Sequence, residues 1–87
     1  VIRINKNKFG LFRDEVYKKL KNYNVYARKY FYPLCSNYKC YDNLKSAKKE
    51  ILPVANKVVD ETLSMPFYGD LGVDRANKIC NIINGIR

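Results

Sequence analysis

A single run of aromatic and β-branched residues limits the folds open to this chain. Residues 24–34 are Asn-Val-Tyr-Ala-Arg-Lys-Tyr-Phe-Tyr-Pro-Leu. Valine, tyrosine and phenylalanine favour a pleated, half-buried surface. Proline lacks the N–H that a strand needs to continue its ladder of hydrogen bonds. The run therefore predicts one strand over residues 25–32, which ends at Pro33.

The two faces of this predicted strand differ in chemistry, because successive side chains along a strand point to opposite sides. One face carries three phenols and a guanidinium, from Tyr26, Arg28, Tyr30 and Tyr32. Tyrosine both donates and accepts hydrogen bonds, and arginine can bind two oxygens at once. This face therefore suits a ligand with hydroxyl and phosphate groups. A solvated sheet face, on which tyrosines cover apolar neighbours, would have the same composition.

Hydrophobic spacing predicts helices around the strand. The first covers residues 11–23, and its apolar stripe is formed by Phe12, Val16, Leu20 and Tyr23. Acidic residues near its start and lysines near its end agree with the helix dipole. Pro53 suits the first turn of a second helix over residues 52–63. A third helix covers residues 73–84, with the inner positions Ala76, Ile79, Cys80 and Ile83.

The remaining segments complete an α+β pattern. Residues 1–7 alternate as a short strand, residues 34–50 predict a long polar loop, and residues 64–66 a brief extended segment. Strands that are separated by helices and packed in two layers predict a small domain with helices on one face of a small, mainly antiparallel sheet. The other face of the sheet, which carries Arg28, then needs a cover or a ligand.

The net charge of +9, from 17 lysines and arginines against 8 acidic residues, suggests a nucleic-acid alternative. In that alternative, a stand-alone basic α+β module stacks the bases of RNA or single-stranded DNA on Tyr26, Tyr30 and Tyr32. Against it, the cations are spread from Arg3 to Arg87 without a dense run, and the glycine-aromatic signature of the common RNA-binding sheet is missing. We therefore expect no nucleic-acid partner. A purely structural dimerisation domain is a third possibility.

Cysteine and histidine usage argues against metal sites and disulfide frameworks. The chain has no histidine, and its three cysteines, Cys35, Cys40 and Cys80, form no Cys-x-x-Cys pair. This odd set predicts reduced thiols in a cytoplasmic protein. No apolar run approaches the roughly 18 residues of a membrane span, so we expect no membrane partner. Because the chain opens on Val1 in a strand-like segment, we expect residues 1–87 to be part of a larger protein.

Two longer runs resemble a known enzyme family. Residues 20–34 are Leu-Lys-Asn-Tyr-Asn-Val-Tyr-Ala-Arg-Lys-Tyr-Phe-Tyr-Pro-Leu, and residues 51–68 are Ile-Leu-Pro-Val-Ala-Asn-Lys-Val-Val-Asp-Glu-Thr-Leu-Ser-Met-Pro-Phe-Tyr. Both are similar to the C-terminal part of the DegT/DnrJ/StrS-type sugar aminotransferases. That family shows in order a helix, a strand of the form R-x-Y-F-x-P-L, a variable loop, a helix starting at L-P-x-A, an L-P-containing segment and a last helix. The same order holds here over nearly the whole chain.

The resemblance implies that residues 1–87 are the C-terminal small domain of a pyridoxal-phosphate-dependent enzyme with an aspartate-aminotransferase-like fold. Such homodimeric enzymes transfer an amino group from an amino acid, here expected to be glutamate, to a keto-sugar nucleotide. In the family, the large N-terminal domain holds the cofactor through a lysine, so this chain alone is expected to be inactive. Lys29, in the predicted strand, is expected to be a solvated or snorkelling side chain and not the cofactor lysine.

By the same resemblance, the candidate substrate-binding residues are Arg28, Tyr30 and Tyr32, as part of the wall of the sugar-nucleotide site. In the matching strand, family members reach the hexose and the phosphates with polar side chains. The chain departs from the family where many relatives carry histidine, at the position of Tyr30 and again near Cys35. The resemblance therefore leaves open which keto-sugar nucleotide is bound and which ring position is aminated.

Overall fold

The computed structural model describes residues 1–86 of the chain. Its α helices are α1 (Lys6–Phe9), α2 (Arg13–Lys21), α3 (Pro53–Val59) and α4 (Val73–Ile86). Its strands are β1 (Ile2–Arg3) and β2 (Thr62–Leu63), and short 3-10 turns cover Cys35–Asn37 and Lys45–Ala47. The predicted α+β class is confirmed, since the helices accompany a two-stranded antiparallel sheet.

β2 lies between β1 and a single residue of the predicted central strand. β1 and β2 are antiparallel, with Ile2 opposite Leu63. On the other side of β2, the Arg28 N–H donates to the Ser64 carbonyl at 3.0 Å, and the Ser64 N–H donates to the Arg28 carbonyl at 2.8 Å. This pair joins the aromatic run to the sheet.

The prediction of a strand over residues 25–32 is wrong, because only Arg28 of this run pairs with the sheet. In the antiparallel register set by Arg28 and Ser64, the next hydrogen-bonded pair would be Tyr26 with Pro66. Pro66 has no N–H to donate, so the ladder does not extend in that direction. In the other direction the chain enters a hydrogen-bonded turn. The run therefore lacks the backbone partners that a longer strand needs.

The first part of the run nevertheless keeps the predicted alternation of faces. Val25 and Ala27 are buried in the core, whereas Tyr26 and Arg28 are exposed. The alternation fails at Phe31, which was expected on the inner face and is 64% exposed, because the chain has turned by then.

The end of α2 fixes where this run begins. Asn24 adopts φ 60°, in the left-handed region that asparagine tolerates better than most residues. The following N–H, that of Val25, donates to the Leu20 carbonyl at 3.0 Å and satisfies a carbonyl at the helix end. The chain thereby reverses direction, and the buried Val25 side chain anchors the next segment to the core.

The hydrophobic core lies among the sheet, α2 and α4. Val16 and Leu20 of α2 and Leu63 of β2 are fully buried. The other buried members of this cluster are Ile4, Val25, Ala27 and Ile86. α2 contacts both β2 and α4, so it connects the sheet with the last helix.

The first two predicted helices, observed as α2 and α3, are shorter than expected. α2 begins at Arg13 and ends at Lys21, so two members of the predicted stripe, Phe12 and Tyr23, lie outside it and are exposed. α3 ends at Val59, and the residues expected to form its last turn include β2. Leu63 pairs with Ile2 of β1 and is fully buried.

α4 is the predicted last helix and extends two residues further than expected. Its half-buried positions include Ile79 and Ile83, as the spacing predicts, but Cys80 is exposed and Ile82 packs on the core in its place. Among residues 1–86, no helix is both long enough and apolar enough to cross a membrane.

Candidate binding groove

A groove of about 480 Å³ lies between two short segments of the chain. We call residues 26–30 the first lip and residues 64–68 the second lip. The groove is lined by Tyr26, Arg28, Tyr30, Ser64, Met65, Pro66, Phe67 and Tyr68. The hydrogen-bonded pair of Arg28 and Ser64 joins the lips at their base, so both are fixed to the edge of the sheet.

Local sequence explains why candidate binding side chains face the groove. In the first lip, burial of Val25 and Ala27 turns Tyr26 and Arg28 outward. In the second lip, Pro66 ends the hydrogen-bonded ladder. The two lips therefore separate beyond their single residue pair and leave space between them.

The groove lining is rich in hydrogen-bonding groups and contains no acid. It holds the phenols of Tyr26, Tyr30 and Tyr68, the hydroxyl of Ser64 and the guanidinium of Arg28. The ion pairs within residues 1–86 involve Arg3, Arg13 and Lys29, and none of them uses Arg28. An unpaired guanidinium beside three phenols attracts an anion and can bind several hydroxyl groups.

Apolar rings complete the same site. Phe67 in the second lip is 96% exposed, and Tyr26 and Tyr30 in the first lip are 66% and 44% exposed. Exposed aromatic rings beside polar groups are typical of surfaces that bind a ligand or another part of a protein. The groove thus combines one cationic group with aromatic surfaces on both sides.

The structure brings Arg28 and Tyr30 together and places Tyr32 elsewhere. Tyr32 lines a separate groove of about 430 Å³, together with the lysines Lys48 and Lys49. Its ring also lies 5.6 Å from the guanidinium carbon of Arg13. The turn closed by the Tyr32 N–H and the Lys29 carbonyl causes this separation, since it breaks the alternation that would have kept the three side chains on one face.

Phe67 and Tyr68 in the second lip are candidate site residues that the sequence patterns did not single out. The signal lay in the segment Ser-Met-Pro-Phe-Tyr, whose first residues were expected to be extended. Pairing Ser64 with Arg28 brings the following aromatic residues beside the first lip. Residue types alone could not predict that residue 64 pairs with residue 28, because the two segments are far apart in the sequence.

Lys29 does not fit the role of a cofactor lysine. Its ammonium group lies 3.1 Å from the Asp14 carboxylate and 4.9 Å from the centroid of the Tyr17 ring. A lysine that binds pyridoxal phosphate needs a free amine, whereas this one is held by a carboxylate and an aromatic ring. The side chain is also half-buried, and its ammonium group reaches the exposed Asp14 carboxylate, which fits the snorkelling alternative.

Two charged residues at the start of α2 contact the segments that carry the lips: Arg13 binds backbone carbonyls before the second lip, and Asp14 pairs with the Lys29 side chain of the first lip. Arg13 is 4% exposed, and its guanidinium donates to the carbonyls of Val59 and Thr62 at 2.8 and 3.0 Å. It also donates to the Asp14 carboxylate at 2.6 Å. Partial burial disfavours the charged form of Asp14, but hydrogen bonds from Lys29 and Arg13 outweigh this effect and hold the pKa of that carboxyl below its ordinary value.

Known proteins match the chain over nearly its whole length. A dTDP-4-amino-4,6-dideoxy-D-glucose transaminase from Escherichia coli is 44% identical over 77 residues, which are 88% of this chain and 21% of that protein. A transaminase of the same name from Shigella dysenteriae is 33% identical over 81 residues, which are 91% of this chain and 21% of that protein. The chain thus spans about a fifth of the length of these curated relatives. No solved structure matches it.

A family model covers both lips of the groove and the helices that support them. The match extends over residues 1–84, and it confirms the resemblance inferred from residues 20–34 and 51–68. The chain belongs to the DegT/DnrJ/EryC1/StrS aminotransferase family.

Proposed function

We propose that this chain is the C-terminal small domain of a sugar-nucleotide aminotransferase and forms one wall of its substrate site. In this proposal, Arg28 binds a phosphate or a sugar hydroxyl, and Tyr30 binds a hydroxyl of the hexose. The observation that carries the proposal is the guanidinium of Arg28, which is exposed in an acid-free groove and has no carboxylate partner within residues 1–86.

The chemistry of a nucleotide-linked sugar matches the groove. The sugar offers several hydroxyl groups, which phenols can both donate to and accept from. The diphosphate offers paired oxygens, which arginine binds with two N–H groups. The flat base or sugar face can pack on the exposed rings of Phe67 and Tyr68. Tyr32 contacts the substrate in this proposal only if the ligand extends into the separate groove that Tyr32 lines.

The names of the relatives indicate the substrate. Both are dTDP-4-amino-4,6-dideoxy-D-glucose transaminases. We therefore propose a dTDP-linked 4-keto-6-deoxyhexose as the acceptor, which receives the amino group at C4 and becomes the 4-amino-4,6-dideoxyhexose, with glutamate as the donor. The whole enzyme is proposed to be a homodimer.

The cofactor is assigned to a part of the protein outside this chain. Pyridoxal phosphate, when bound in such enzymes, serves as the electron sink that makes amino transfer possible. Lys29, held by Asp14, does not fit the cofactor lysine. The contribution of residues 1–86 is therefore to bind and orient the sugar nucleotide.

Separate measurement of the two half-reactions tests this proposal in the full-length enzyme. Arg28→Ala should lower the single-turnover efficiency with the keto-sugar nucleotide by about 1.5–3 kcal/mol, or roughly 10- to 150-fold, the range for a hydrogen bond to a charged group. The half-reaction with glutamate should change less than about twofold, because glutamate is too small to need this wall.

Arg75→Ala is the matched control, since Arg75 is an exposed arginine of α4 and does not line the groove. It should leave both half-reactions unchanged. Equal losses in both half-reactions of the Arg28 variant would show that Arg28 supports the fold or binds the donor. No loss in either would show a solvated surface without a substrate contact.

The nucleic-acid alternative receives no support from the fold. A stacking surface would need Tyr26, Tyr30 and Tyr32 on one face, but Tyr32 lies in the other groove. The family match also favours the aminotransferase.

A further inference from the structure

Arg13 connects the start of α2 with the backbone that leads into the second lip. One nitrogen of its buried guanidinium, Nη1, donates to the carbonyls of Val59 and Thr62, at 2.8 and 3.0 Å. Thr62 begins β2, and β2 leads directly into Ser64, the first residue of the second lip. The arginine therefore fixes the backbone from which that lip extends.

Asp14, in the same helical turn, forms an ion pair with the first lip. Its carboxylate lies 3.1 Å from the ammonium group of Lys29, which stands between Arg28 and Tyr30 in the chain. It also accepts a hydrogen bond from Nε of Arg13 at 2.6 Å. One pair of adjacent side chains thus connects Lys29 of the first lip with the backbone that leads into the second lip.

The direction of Lys29 makes this connection relevant to the groove. Arg28 and Tyr30 line the groove, whereas Lys29 contacts Asp14 and the Tyr17 ring of α2. Neighbouring residues of an extended segment point to opposite sides. Holding the Lys29 ammonium against α2 therefore limits the rotation of the backbone that carries Arg28 and Tyr30.

We propose that Arg13 and Asp14 are positioning residues, which set the separation and orientation of the two lips without touching the substrate. The inference rests on the proposed function of the groove. Neither residue lines the groove. Their effect must act through geometry, because a guanidinium held out of place by about 1 Å loses much of its value in binding a transition state.

A purely structural role for this pair predicts a different result. Loss of stability alone would reduce the amount of folded enzyme and would lower both half-reactions equally. Loss of positioning would lower only the half-reaction that uses the groove. The two half-reactions therefore separate the roles.

The test uses the full-length enzyme with Asp14→Asn, which keeps the shape of an exposed side chain and removes its charge. The single-turnover efficiency with the keto-sugar nucleotide should fall about three- to tenfold, while the half-reaction with glutamate changes less than about twofold. Arg13→Lys should show the same selectivity, since lysine keeps the charge but cannot reproduce the fork of donors.

Glu15→Gln is the matched control. Glu15 lies in the same first turn of α2, and within residues 1–86 its carboxylate accepts only from the Phe12 N–H, at 3.5 Å. This variant should leave both half-reactions unchanged. Lys29→Met should match the loss of Asp14→Asn, and the double variant Asp14→Asn/Lys29→Met should lose no more than either single variant.

Two results would overturn the inference. One is an Asp14→Asn enzyme that behaves like Glu15→Gln, and the other is an equal fall in both half-reactions. If Arg28→Ala impairs the sugar-nucleotide half-reaction while Asp14→Asn does not, the positioning role fails and the proposed function stands. If Arg28→Ala has no effect, the proposed function itself fails.

Discussion

The substitution Arg13→Met should strongly destabilise the isolated 87-residue chain. The Arg13 side chain is 3% exposed and donates to two backbone carbonyls, those of Val59 and Thr62. Both of these residues are themselves buried. Methionine fills the space of the aliphatic stem but offers no donor, so the two carbonyls lose their partner.

The size of the effect follows from these lost hydrogen bonds. A buried polar group left unpaired costs about 1–3 kcal/mol. The two carbonyls share one donor nitrogen, so their costs are not independent, and we expect a total loss of about 2–4 kcal/mol. An 87-residue chain has a free energy of unfolding of roughly 4–13 kcal/mol, so the loss is a large share of the total.

Urea denaturation measures this loss. With an m value of about 1 kcal/mol/M, the unfolding midpoint should fall by roughly 2 M or more. Far-UV circular dichroism and tyrosine fluorescence should report the same transition, since the chain has 8 tyrosines and no tryptophan. Arg75→Met is the control, because Arg75 is an exposed arginine of α4 that forms no ion pair within residues 1–86. That variant should lose no more than about 1 kcal/mol. Equal losses in the two variants would refute the assignment of a buried structural role to Arg13.

Three further outcomes are expected. The isolated chain should show no transaminase turnover when mixed with pyridoxal phosphate, and turnover in a standard coupled assay would contradict the assignment. Leu63→Ala should lower the free energy of unfolding by about 2–5 kcal/mol, against less than about 1 kcal/mol for the half-exposed Leu44→Ala, as measured by urea titration. The pKa of the Asp14 carboxyl is lowered in the folded chain, so its stabilising effect is present above the ordinary value of 3.8 and is lost as the pH falls through the lowered value. Asp14→Asn should therefore reduce stability by no more than about 1 kcal/mol at neutral pH and progressively less below pH 3.8, and a loss that grows with acid would contradict this sign.

Local patterns predicted the helices better than the sheet. Val16 and Leu20 are fully buried, as the apolar stripe of α2 indicates. Such a stripe contains all the information that a helix needs to choose its inner face. A strand also needs a backbone partner, and the aromatic run finds one only at Ser64 before Pro66 ends the pairing. Strand propensity depends on this tertiary context, so residue types alone overestimated the strand.

The candidate site was predictable in part for the same reason. Arg28 and Tyr30 share the groove because the alternation of faces persists through most of the first lip. Tyr32 is separated from them by the turn that follows. Arg13 could not be recognised, since its carbonyl partners lie 46 and 49 residues away in the sequence. A charged residue in the first turn of a helix is usually solvated, and only the fold buries this one.

A crystal structure of the full-length enzyme with a bound dTDP-linked 4-amino-4,6-dideoxyhexose gives the most direct test of the proposed substrate wall. The informative measurement is the distance from the Arg28 guanidinium nitrogens to the nearest phosphate or hydroxyl oxygen of the ligand. We expect about 2.7–3.2 Å, with the ligand lying between the lips and against Tyr30. A ligand bound elsewhere, with the Arg28 guanidinium solvated and the groove between the lips empty, would contradict the proposal.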